Sequence, residues 1–496
     1  MDDASPVTAE IRFGDNSLEV LRTAGVGIAG ACSGRGRCGT CAVHVSPRAP
    51  LPTPADRRLL SRESIASGIR LGCSLPPGAY SVARANTPPV VIETKAEHLI
   101  AECLLPGPPG PGIAVDIGTT TVMACAFDAT GAPGPVSHTA NLQRRYGADV
   151  MSRISAATDA PTKDALRALA AQSVAAVVDR AGEGIPSDAW VAAVGNTVMH
   201  HLAAGLHAAP LGVSPFAPRP DGYRWRSIPL PGERRKEPRR LWLVPPLGGL
   251  VGSDLTATIA VLLRTRPDEP WLAIDMGTNC EIVLRRNGRT WFTSVPAGPA
   301  FEGWGLTWGC AAGEGVVEHV QSTDGGFDLS VRGHGEPVGL CGSAAVDLSA
   351  LLLAQGVLSA SGRLALQARE LRLAPNGLAF SQRDVREIQK AKAAVEVGVR
   401  AVLAEASIAA DDLRYVVLSG AFAKGLHLGH AQAIGLIPVL AAERFLIAGN
   451  TALLGAGFCL DRSLVRRIRQ SGRKVILHTE GFATRFAEAV QLRPWQ

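Results

Sequence analysis

The sequence of 496 residues predicts an α/β chain in which a small α+β domain is followed by two similar α/β lobes. Two observations predict this class. Four cysteines lie close together near the N-terminus, and an apolar strand ending in Asp-x-Gly-Thr occurs twice in the remainder, 159 residues apart. The expected boundaries are residues 1–86 for the first domain, 87–112 for a linker, 113–264 for the first lobe and 265–496 for the second.

The four N-terminal cysteines are spaced as ligands of a 2Fe-2S cluster. Cys32, Cys38 and Cys41 form a C-x5-C-x2-C loop, and Cys73 follows 32 residues later. Glycines in the loop let backbone N–H groups turn toward the sulfurs. A structural zinc site is the alternative, but such sites usually combine two close pairs of ligands. Because the flanking segments have the patterns of short strands and a helix, a ferredoxin-like β-grasp domain is expected.

Composition indicates a globular protein without a membrane span. Hydrophobic residues make up 46% of the sequence, no stretch reaches the length of about 18 apolar residues that a span needs, and no leader pattern opens the chain. A cytoplasmic location is therefore predicted. The net charge of +6 is modest, and the basic runs at residues 234–236 and 466–469 lack interleaved aromatic residues, which does not favour nucleic acid as a partner. These runs are either solvated surface or a docking face for an acidic partner.

A Pro-rich segment, residues 87–112, separates the cysteine-containing domain from the rest of the chain. Proline cannot donate the hydrogen bonds of a strand ladder and favours extended backbone. The segment is therefore predicted to be a semi-flexible tether that lets the first domain move relative to the lobes.

The repeated Asp-x-Gly-Thr pattern predicts two phosphate-binding loops that face each other across a nucleotide. The residues expected to bind ATP in these loops are Asp116, Gly118, Thr119, Thr120, Asp275, Gly277, Thr278 and Asn279. Glycine lets the backbone approach the phosphates, threonine donates hydrogen bonds to phosphate oxygens, and each aspartate can hold Mg²⁺ through water. One copy of the pattern also describes an ordinary strand end and turn, but its repetition favours an internal duplication that clamps one nucleotide.

Three further segments stand in the order that such a clamp needs. Residues 247–258 contain Asp254 near a predicted helix start, where its carboxylate either orients a water at the γ-phosphate or serves as a plain helix cap. Residues 415–425 read as a buried strand that opens at Gly420 and Ala421 into a turn suited to adenosine. Residues 449–457 predict a helix whose small side chains allow close helix packing at a hinge between the lobes.

Several polar residues have two open readings. His200 and His201 are interpreted as a packed or surface pair rather than metal ligands, because no cysteine or carboxylate stands at ligand spacing nearby. Lys390, Lys392 and Glu396 fall on a helix predicted from residue 381 to 406, and they either reach the nucleotide or lie on a solvated face.

The five nucleotide segments in this order resemble the actin, sugar-kinase and heat-shock-chaperone superfamily of ATPases, whose lobes have a ribonuclease H-like fold. The resemblance narrows at four further stretches, residues 146–154, 194–202, 296–303 and 339–343. These stretches are similar to signature segments of the ATP-dependent reductive activators of corrinoid enzymes. Pro111 leads almost directly into the first phosphate loop, so the sequence also predicts that an additional middle domain of longer family members is missing.

The resemblance implies a function and a set of partners. It implies an ATP-hydrolysing activase that passes one electron from the 2Fe-2S cluster to an inactive Co(II) corrinoid protein of a methyltransferase system and so regenerates Co(I). ATP, Mg²⁺ and the cluster are the implied cofactors, and a low-potential electron donor is the implied upstream partner. A homodimer is left open.

Two alternatives keep the fold but change the function. One is a small-molecule kinase whose ferredoxin domain serves as a redox sensor. The other is a non-catalytic, actin-like module that tethers an electron carrier to a complex.

Overall fold

A computed structural model describes most of the chain outside the region between the first domain and the lobes. The described residues are 6–15, 17–24, 26, 41–60, 62–84, 108, 110–147, 150–213, 216–217, 220–231, 239–249, 251–265, 269–303, 305–310, 313–323, 326–333, 335–366, 369–477 and 481–495. Cys32, Cys38, the basic run 234–236 and most of the predicted linker lie outside them. No helix among the described residues combines the length and apolar character needed to cross a membrane.

The N-terminal domain is a four-stranded sheet with short helices, in the strand order β1-β4-β2-β3. Its elements are β1 (Val7–Ile11), α1 (Ser17–Thr23), β2 (Ala42–Ser46), α2 (Pro54–Leu59), α3 (Arg62–Ala66), β3 (Ile69–Leu71) and β4 (Gly78–Arg84). Leu21 of α1 is fully buried with Val43 and Val82 of the sheet. The predicted strand leaving the cysteine loop is therefore present as β2, in an α+β domain with a core of its own.

The first lobe is built on a six-stranded sheet in the order β7-β6-β5-β8-β10-β9. Its elements are β5 (Gly112–Ile117), β6 (Thr121–Phe127), β7 (Pro133–Ala140), α4 (Val150–Ala156), α5 (Ala160–Ala181), β8 (Trp190–Gly195), α6 (Thr197–Ala204), β9 (Arg226–Pro229), β10 (Arg240–Leu243) and α7 (Ser253–Thr265). The hairpin β5-β6 is followed by a parallel strand, β8, reached through helices α4 and α5. This crossover covers one face of the sheet and makes the lobe α/β.

The second lobe repeats this plan in a sheet of the order β20-β19-β11-β12-β13-β21. Its elements are β11 (Trp271–Met276), β12 (Cys280–Arg286), β13 (Arg289–Val295), β14 (Val316–Thr323), β15 (Gly326–Val331), β16 (Gly339–Leu340), α8 (Gly342–Ala354), β17 (Glu370–Arg372), β18 (Ala379–Ser381), α9 (Gln382–Glu405), β19 (Tyr415–Ser419), α10 (Ala421–Lys424), α11 (Leu428–Ala433), β20 (Phe445–Ile447), α12 (Thr451–Ala456), α13 (Arg462–Ser471), β21 (Gly472–Lys474) and α14 (Phe482–Ala489). Strands β14 to β16 form a separate small sheet, and β17 pairs with β18.

The two predicted phosphate loops occupy matching places in the two lobes. Asp116 is the fifth residue of the six-residue strand β5, and Asp275 is the fifth residue of the six-residue strand β11. Asp275 lies opposite Glu281 in the antiparallel neighbour and Ser419 in the parallel neighbour. The register around Asp116 follows the same pattern with strands β6 and β8. The predicted two-lobed α/β fold class is confirmed, and the internal duplication is visible in strand order and register.

The predicted long helix is present as α9, and its start has a physical cause. The Ser381 hydroxyl accepts a hydrogen bond from Asp384 N–H, while the Asp384 carboxylate accepts from Ser381 N–H in a reciprocal capping box. Lys392 does not lie on a solvated face, because its side chain is 1% exposed and Nζ bonds Glu396 and the carbonyl oxygens of residues 489 and 491. Neither open reading of Lys392 and Glu396 is therefore correct: this buried pair holds the C-terminal segment. Lys390 pairs with a glutamate at the surface.

The lobes meet where α7 crosses α12 at very short range. A Cβ atom on Gly455 would lie 2.1 Å from the carbonyl oxygen of Ala257, so glycine is required there. The hydroxyls of Thr258 and Thr451 are 2.8 Å apart at the same crossing. Apolar residues of both lobes share one buried cluster around this crossing, including Phe127 and Trp271. The predicted close-packed helix at the interlobe hinge is thus present.

The Gly455→Ala substitution is expected to destabilise the protein by about 1–3 kcal/mol, because the added methyl group overlaps a backbone atom and the helices must separate. A glycine-to-alanine change inside a helix would otherwise stabilise it by up to about 1 kcal/mol. The melting temperature in thermal unfolding shows whether the substitution destabilises or stabilises the protein. Gly429→Ala in α11 is the matched control, since its methyl group meets a movable ring of His427 at 3.3 Å. Equal melting temperatures for the two variants would show that the crossing is not tight.

Candidate functional site

Two of the four predicted cluster ligands lie together in the described part of the first domain. The sulfur atoms of Cys41 and Cys73 are 3.3 Å apart, and neither residue forms a disulfide. Gly72 N–H donates to the carbonyl oxygen of Cys41 at 2.8 Å, which holds the turn after β3 against the start of β2. The pair fits two adjacent ligands of one metal centre. Cys32 and Cys38 lie outside the described residues, so their part in the site remains a prediction.

The first phosphate loop, residues 118–120, is held from behind by buried polar side chains. Arg153 is fully buried, and its guanidinium donates to the carbonyl oxygens of Thr119 at 2.6 Å and Gly147 at 2.9 Å. The side-chain amide of Asn141 donates to the carbonyl oxygen of Gly118 at 2.8 Å. Because these bonds use carbonyl oxygens, they turn the loop's acceptors inward and leave its donors for the cleft.

Asn196 connects this loop to helix α6. Its side-chain oxygen accepts from Met199 N–H at 2.9 Å as the helix cap, while its amide donates to the hydroxyl oxygen of Thr119 at 3.0 Å. The Thr119 hydroxyl is thereby an acceptor from Asn196 and keeps its own proton to donate. Thr120 is exposed, and its carbonyl oxygen accepts from the backbone of Asn141 at 2.9 Å.

The second phosphate loop, residues 277–279, contacts the segment that follows β13. Thr278 donates to one carboxylate oxygen of Glu302 twice, from N–H at 3.0 Å and from the hydroxyl at 2.6 Å. The carbonyl oxygen of Thr278 accepts from Gly298 N–H at 3.0 Å. Asn279 completes the turn into β12 and is half-buried. The donors that the sequence assigns to a phosphate are therefore paired with an internal carboxylate.

Gly420 lies directly against the acid-bearing strand of the second lobe. A Cβ atom on Gly420 would be 2.6 Å from the carbonyl oxygen of Met276 and 3.0 Å from a carboxylate oxygen of Asp275, and φ is +94°. Its N–H donates to the carbonyl oxygen of Gly449 at 3.1 Å. Ala421 is exposed as the first residue of α10. This corner is closely packed against β11, so only glycine fits at position 420, and the role of Gly420 and Ala421 at adenosine stays a prediction.

Asp254 lies inside the first turn of α7 rather than at the capping position before it. One carboxylate oxygen accepts from Leu255 N–H at 2.7 Å. Gly252, the residue before the helix starts at Ser253, packs so closely on β8 that a Cβ atom there would lie 2.4 Å from the carbonyl oxygen of Gly195. The close approach brings the start of α7 to the end of β8, next to the first phosphate loop.

Four carboxylates of the cleft have pKa values above their ordinary range. Burial raises the pKa of Asp116 to about 6, with a hydrogen bond from Asn450 opposing the rise and the charge of Asp275 adding to it. Burial, followed by the charges of Asp275 and Asp116, raises the pKa of Asp254 to about 7. Burial also raises the pKa values of Asp275 and Glu281, and for Glu281 the charge of Asp254 contributes next. A cation bound among these carboxylates would therefore stabilise their charged forms.

The arrangement suits a metal-bound polyphosphate. Acidic side chains from both lobes face a region that also presents the threonine donors of the first loop. Mg²⁺ usually keeps several waters and is held by few carboxylates together with phosphate oxygens. In the described part of the chain, no three His, Cys, Asp or Glu side chains are placed to bind one metal ion directly.

Sequence reasoning missed four residues that the structure brings to the site. Asn196 and Asn450 cap helices α6 and α12, and each amide also contacts a phosphate loop or its aspartate, Asn450 reaching Asp116 at 2.8 Å. Asparagine before a helix was a readable cap signal, but the second contact depends on the tertiary fold. Burial raises the pKa of Glu281, and this residue lies close enough to Asp254 for the charge of that aspartate to raise it further. Glu302 belongs to residues 296–303, a stretch that supported the family resemblance but had no role assigned to any residue.

The buried pair His200 and His201 is packed, as the sequence predicts. Burial lowers the pKa of His200 to about 3, so its ring is neutral. The His201 ring bonds the carbonyl oxygen of Thr197 at 2.7 Å within α6.

Three family models match consecutive parts of the chain. A 2Fe-2S iron-sulfur cluster binding domain matches residues 1–78, the RACo middle region matches 111–263, and the C-terminal domain of RACo, described as the ASKHA domain, matches 269–494. The first match supports a 2Fe-2S cluster over zinc, and the last supports ATP binding. The middle region is present, so the prediction that it is missing was wrong: the stretch after Pro111 is the first lobe itself.

Two relatives of known activity are similar to the chain. The corrinoid activation enzyme RamQ of Eubacterium limosum is 32% identical over 380 residues, which cover 70% of this chain and 63% of that protein. The [Co(II) methylated amine-specific corrinoid protein] reductase of Methanosarcina barkeri is 27% identical over 260 residues, 47% of either chain. The chain thus spans less than two thirds of the length of each of these relatives.

A solved structure has a similar fold over nearly the whole chain. It is that of a reductive activator for a corrinoid, iron-sulfur protein, with a TM-score of 0.65, 23% sequence identity and coverage of 98% of both chains. At this level of identity the similarity establishes the arrangement of domains and lobes.

The Asp254→Asn variant is expected to melt at a higher temperature than the wild type at pH 8 but not at pH 4, in the absence of nucleotide and Mg²⁺. An unfolded aspartate has a pKa of 3.8, whereas folding raises the pKa of Asp254 to about 7. Below about pH 4 the group is protonated in both states, and above about pH 7 the folded state must carry a buried charge. The contribution of Asp254 to the free energy of unfolding therefore falls as the pH rises between these values. The asparagine variant carries no charge, so this loss of stability is absent from it.

The gain at pH 8 should be about 1 °C for each kcal/mol of penalty removed, because the shift in melting temperature becomes smaller as the unfolding unit becomes larger. Asp328→Asn, on the exposed strand β15, is the control and should change nothing at either pH. A gain for Asp254→Asn that is equal at both pH values would contradict the assigned titration.

Proposed function

The chain belongs to the RACo family of reductive activators of corrinoid proteins, and we propose that it couples ATP hydrolysis to the return of a corrinoid protein from Co(II) to Co(I). The observation that carries the proposal is the presence, in one chain, of paired cluster thiols and a cleft with acid-bearing loops from two lobes. The ATPase coupling, the corrinoid substrate and the electron donor all belong to this proposal.

The electron balance requires one donor and one acceptor. Cys32, Cys38, Cys41 and Cys73 would hold the 2Fe-2S cluster, and the reduced cluster would supply the one electron that converts Co(II) to Co(I). A low-potential one-electron donor then restores the reduced cluster. Plant-type clusters lie near about −400 mV, and each further 59 mV of uphill gap costs about tenfold in a one-electron equilibrium. A cobalt acceptor of lower potential therefore needs a second source of free energy.

ATP hydrolysis in the cleft is the proposed source. Asp116 and Asp275 would hold Mg²⁺ through water, and the two loops would bind the phosphates from opposite lobes. The role proposed for Asp254 is to orient the attacking water, and its pKa of about 7 supports this role because such a carboxylate would accept a proton near neutral pH. Movement of the lobes about the α7–α12 crossing would then change the surface offered to the corrinoid protein.

The direct test mixes reconstituted full-length protein with candidate Co(II) corrinoid proteins, a low-potential reductant and MgATP. The Co(I) absorbance should appear in the complete mixture and not without ATP. Full-length Cys38→Ala should lose the 2Fe-2S absorption and Co(I) formation but keep nucleotide binding, since that residue belongs to the first domain and not to the lobes. Release of a phosphorylated metabolite instead of free phosphate would favour a kinase.

We expect Asp254→Asn to lower ATP turnover by about 10²–10⁴, the usual contribution of a general base, while the protein still binds a non-hydrolysable ATP analogue. Phosphate release and analogue affinity are measured on the same preparation. Asp328→Asn is again the control. Unchanged turnover would show that this carboxylate has only a structural role at the helix start.

Shortening the segment between residues 88 and 105 is expected to slow Co(I) formation without slowing partner-stimulated phosphate release. A tether sets the effective concentration of the electron carrier at its acceptor and does not touch the phosphates. Both rates are measured on full-length and shortened protein with the same corrinoid protein. Equal loss of both rates would mean that the linker takes part in hydrolysis.

A further inference from the structure

Glu302 occupies the hydrogen-bond donors of the second phosphate loop. The N–H and hydroxyl of Thr278 converge on one carboxylate oxygen, at 3.0 and 2.6 Å. A backbone N–H and a threonine hydroxyl that converge on one oxygen are the contacts that a phosphate group uses. The carboxylate therefore stands where the proposed function places a phosphate oxygen of ATP.

This contact is not needed to satisfy a buried donor. Thr278 is exposed at the tip of the turn, so water can serve its N–H and hydroxyl. Glu302 instead brings a negative charge to a cleft that already holds Asp116, Asp254 and Asp275. Burial raises the pKa of Glu302, and the two bonds from Thr278 oppose that rise. The two bonds from Thr278 thus favour the charged carboxylate over the acid at a place where the bound ligand would be anionic.

The backbone that carries Glu302 is firmly anchored. Phe301, 2% exposed, stacks on Phe422 of α10 with ring centroids 4.6 Å apart. On the other side, a Cβ atom on Gly303 would lie 2.0 Å from the carbonyl oxygen of Cys310. With both neighbours packed, the carboxylate can leave Thr278 by rotation of its own side chain, without movement of the segment.

We propose that Glu302 is a positioning residue that holds the phosphate-binding donors of Thr278 in the nucleotide-free protein and is displaced by a phosphate of ATP. This inference rests on the proposed ATP-binding role of the cleft. The two anions cannot share one pair of donors, and their charges repel. Glu302 therefore keeps the loop in the conformation that binds phosphate, and it weakens nucleotide binding by competing for the same donors. When the phosphate leaves, the Glu302 carboxylate accepts the hydrogen bonds from Thr278 again.

Glu302→Gln separates positioning from charge. The amide oxygen can still accept from Thr278, but hydrogen bonds to a charged group are roughly twice as strong as neutral ones. The affinity for a non-hydrolysable ATP analogue with Mg²⁺ should therefore increase about tenfold. Glu302→Ala also removes the competitor but loses the positioning, so a smaller increase is expected. Calorimetric titration of the full-length proteins measures both, and the KM for ATP should fall without a rise in kcat.

Glu443→Gln, at an exposed surface position, is the matched control and should bind as the wild type does. Unchanged or weaker binding by both Glu302 variants would overturn the inference, the weaker result indicating that the carboxylate helps to hold Mg²⁺. A merely structural contact would lower stability and would not tighten binding. If the wild type binds the analogue and Glu302→Gln binds it equally, the inference alone fails. If no protein binds the analogue, the proposed ATP-dependent function fails with it.

Discussion

Negative charge concentrated between the two lobes is the constraint on which the rest of the structure depends. Asp116 and Asp254 come from the first lobe, and Asp275 and Glu281 from the second, so each lobe raises the pKa values of the other. Such a cleft is unfavourable when empty and favourable around a divalent cation with its ligand. In the proposed function, closure of the lobes and binding of a metal-bound polyphosphate would therefore be linked by electrostatics before any specific phosphate contact is made.

One residue connects the acidic cleft to the helix crossing between the lobes. Asn450 caps α12, which packs on α7, and the same side chain donates to Asp116 at 2.8 Å. Asn450 thus connects Asp116 directly to the helix crossing that joins the lobes. The glycine at position 455 allows this crossing to be close, and close crossings move as rigid units rather than deforming gradually.

Contacts from helix α13 to aromatic residues of the first lobe also join the lobes. Four residues before the basic run 466–469 of α13, the guanidinium of Arg462 lies 5.3 Å from the ring centroids of both Trp225 and Trp242 of the first lobe. Arg469 lies over Tyr223 and donates to its carbonyl oxygen at 3.1 Å. Part of this run is therefore neither free surface nor a complete docking face, since its side chains bridge the two lobes.

Local patterns predicted the elements, and long-range contacts decided the details of the site. Strands ending in Asp-x-Gly-Thr and the helix beginning at Ser381 follow from apolar periodicity and capping, which depend on residues a few positions apart. Asn450 reaches Asp116 across 334 positions, and Glu302 reaches Thr278 across 24, so neither contact had a local signal. Lys392 was misread for a related reason: periodicity places it on a helix face but cannot show that the C-terminal segment covers that face.

The separation of hydrophobic cores limits how hydrolysis and electron transfer can be coupled. The core of the N-terminal domain, built around Leu21, Val43 and Val82, shares no described residue with the clusters of the two lobes. Lobe movement therefore has no packed path through this described core to the cluster thiols. In the proposed function, a partner that contacts both parts would be the direct route: hydrolysis would act on the surroundings of the acceptor, and the linker would govern how often the donor reaches it. In that scheme ATP hydrolysis would change how readily the cobalt accepts an electron, and the cluster domain would need no conformational change of its own.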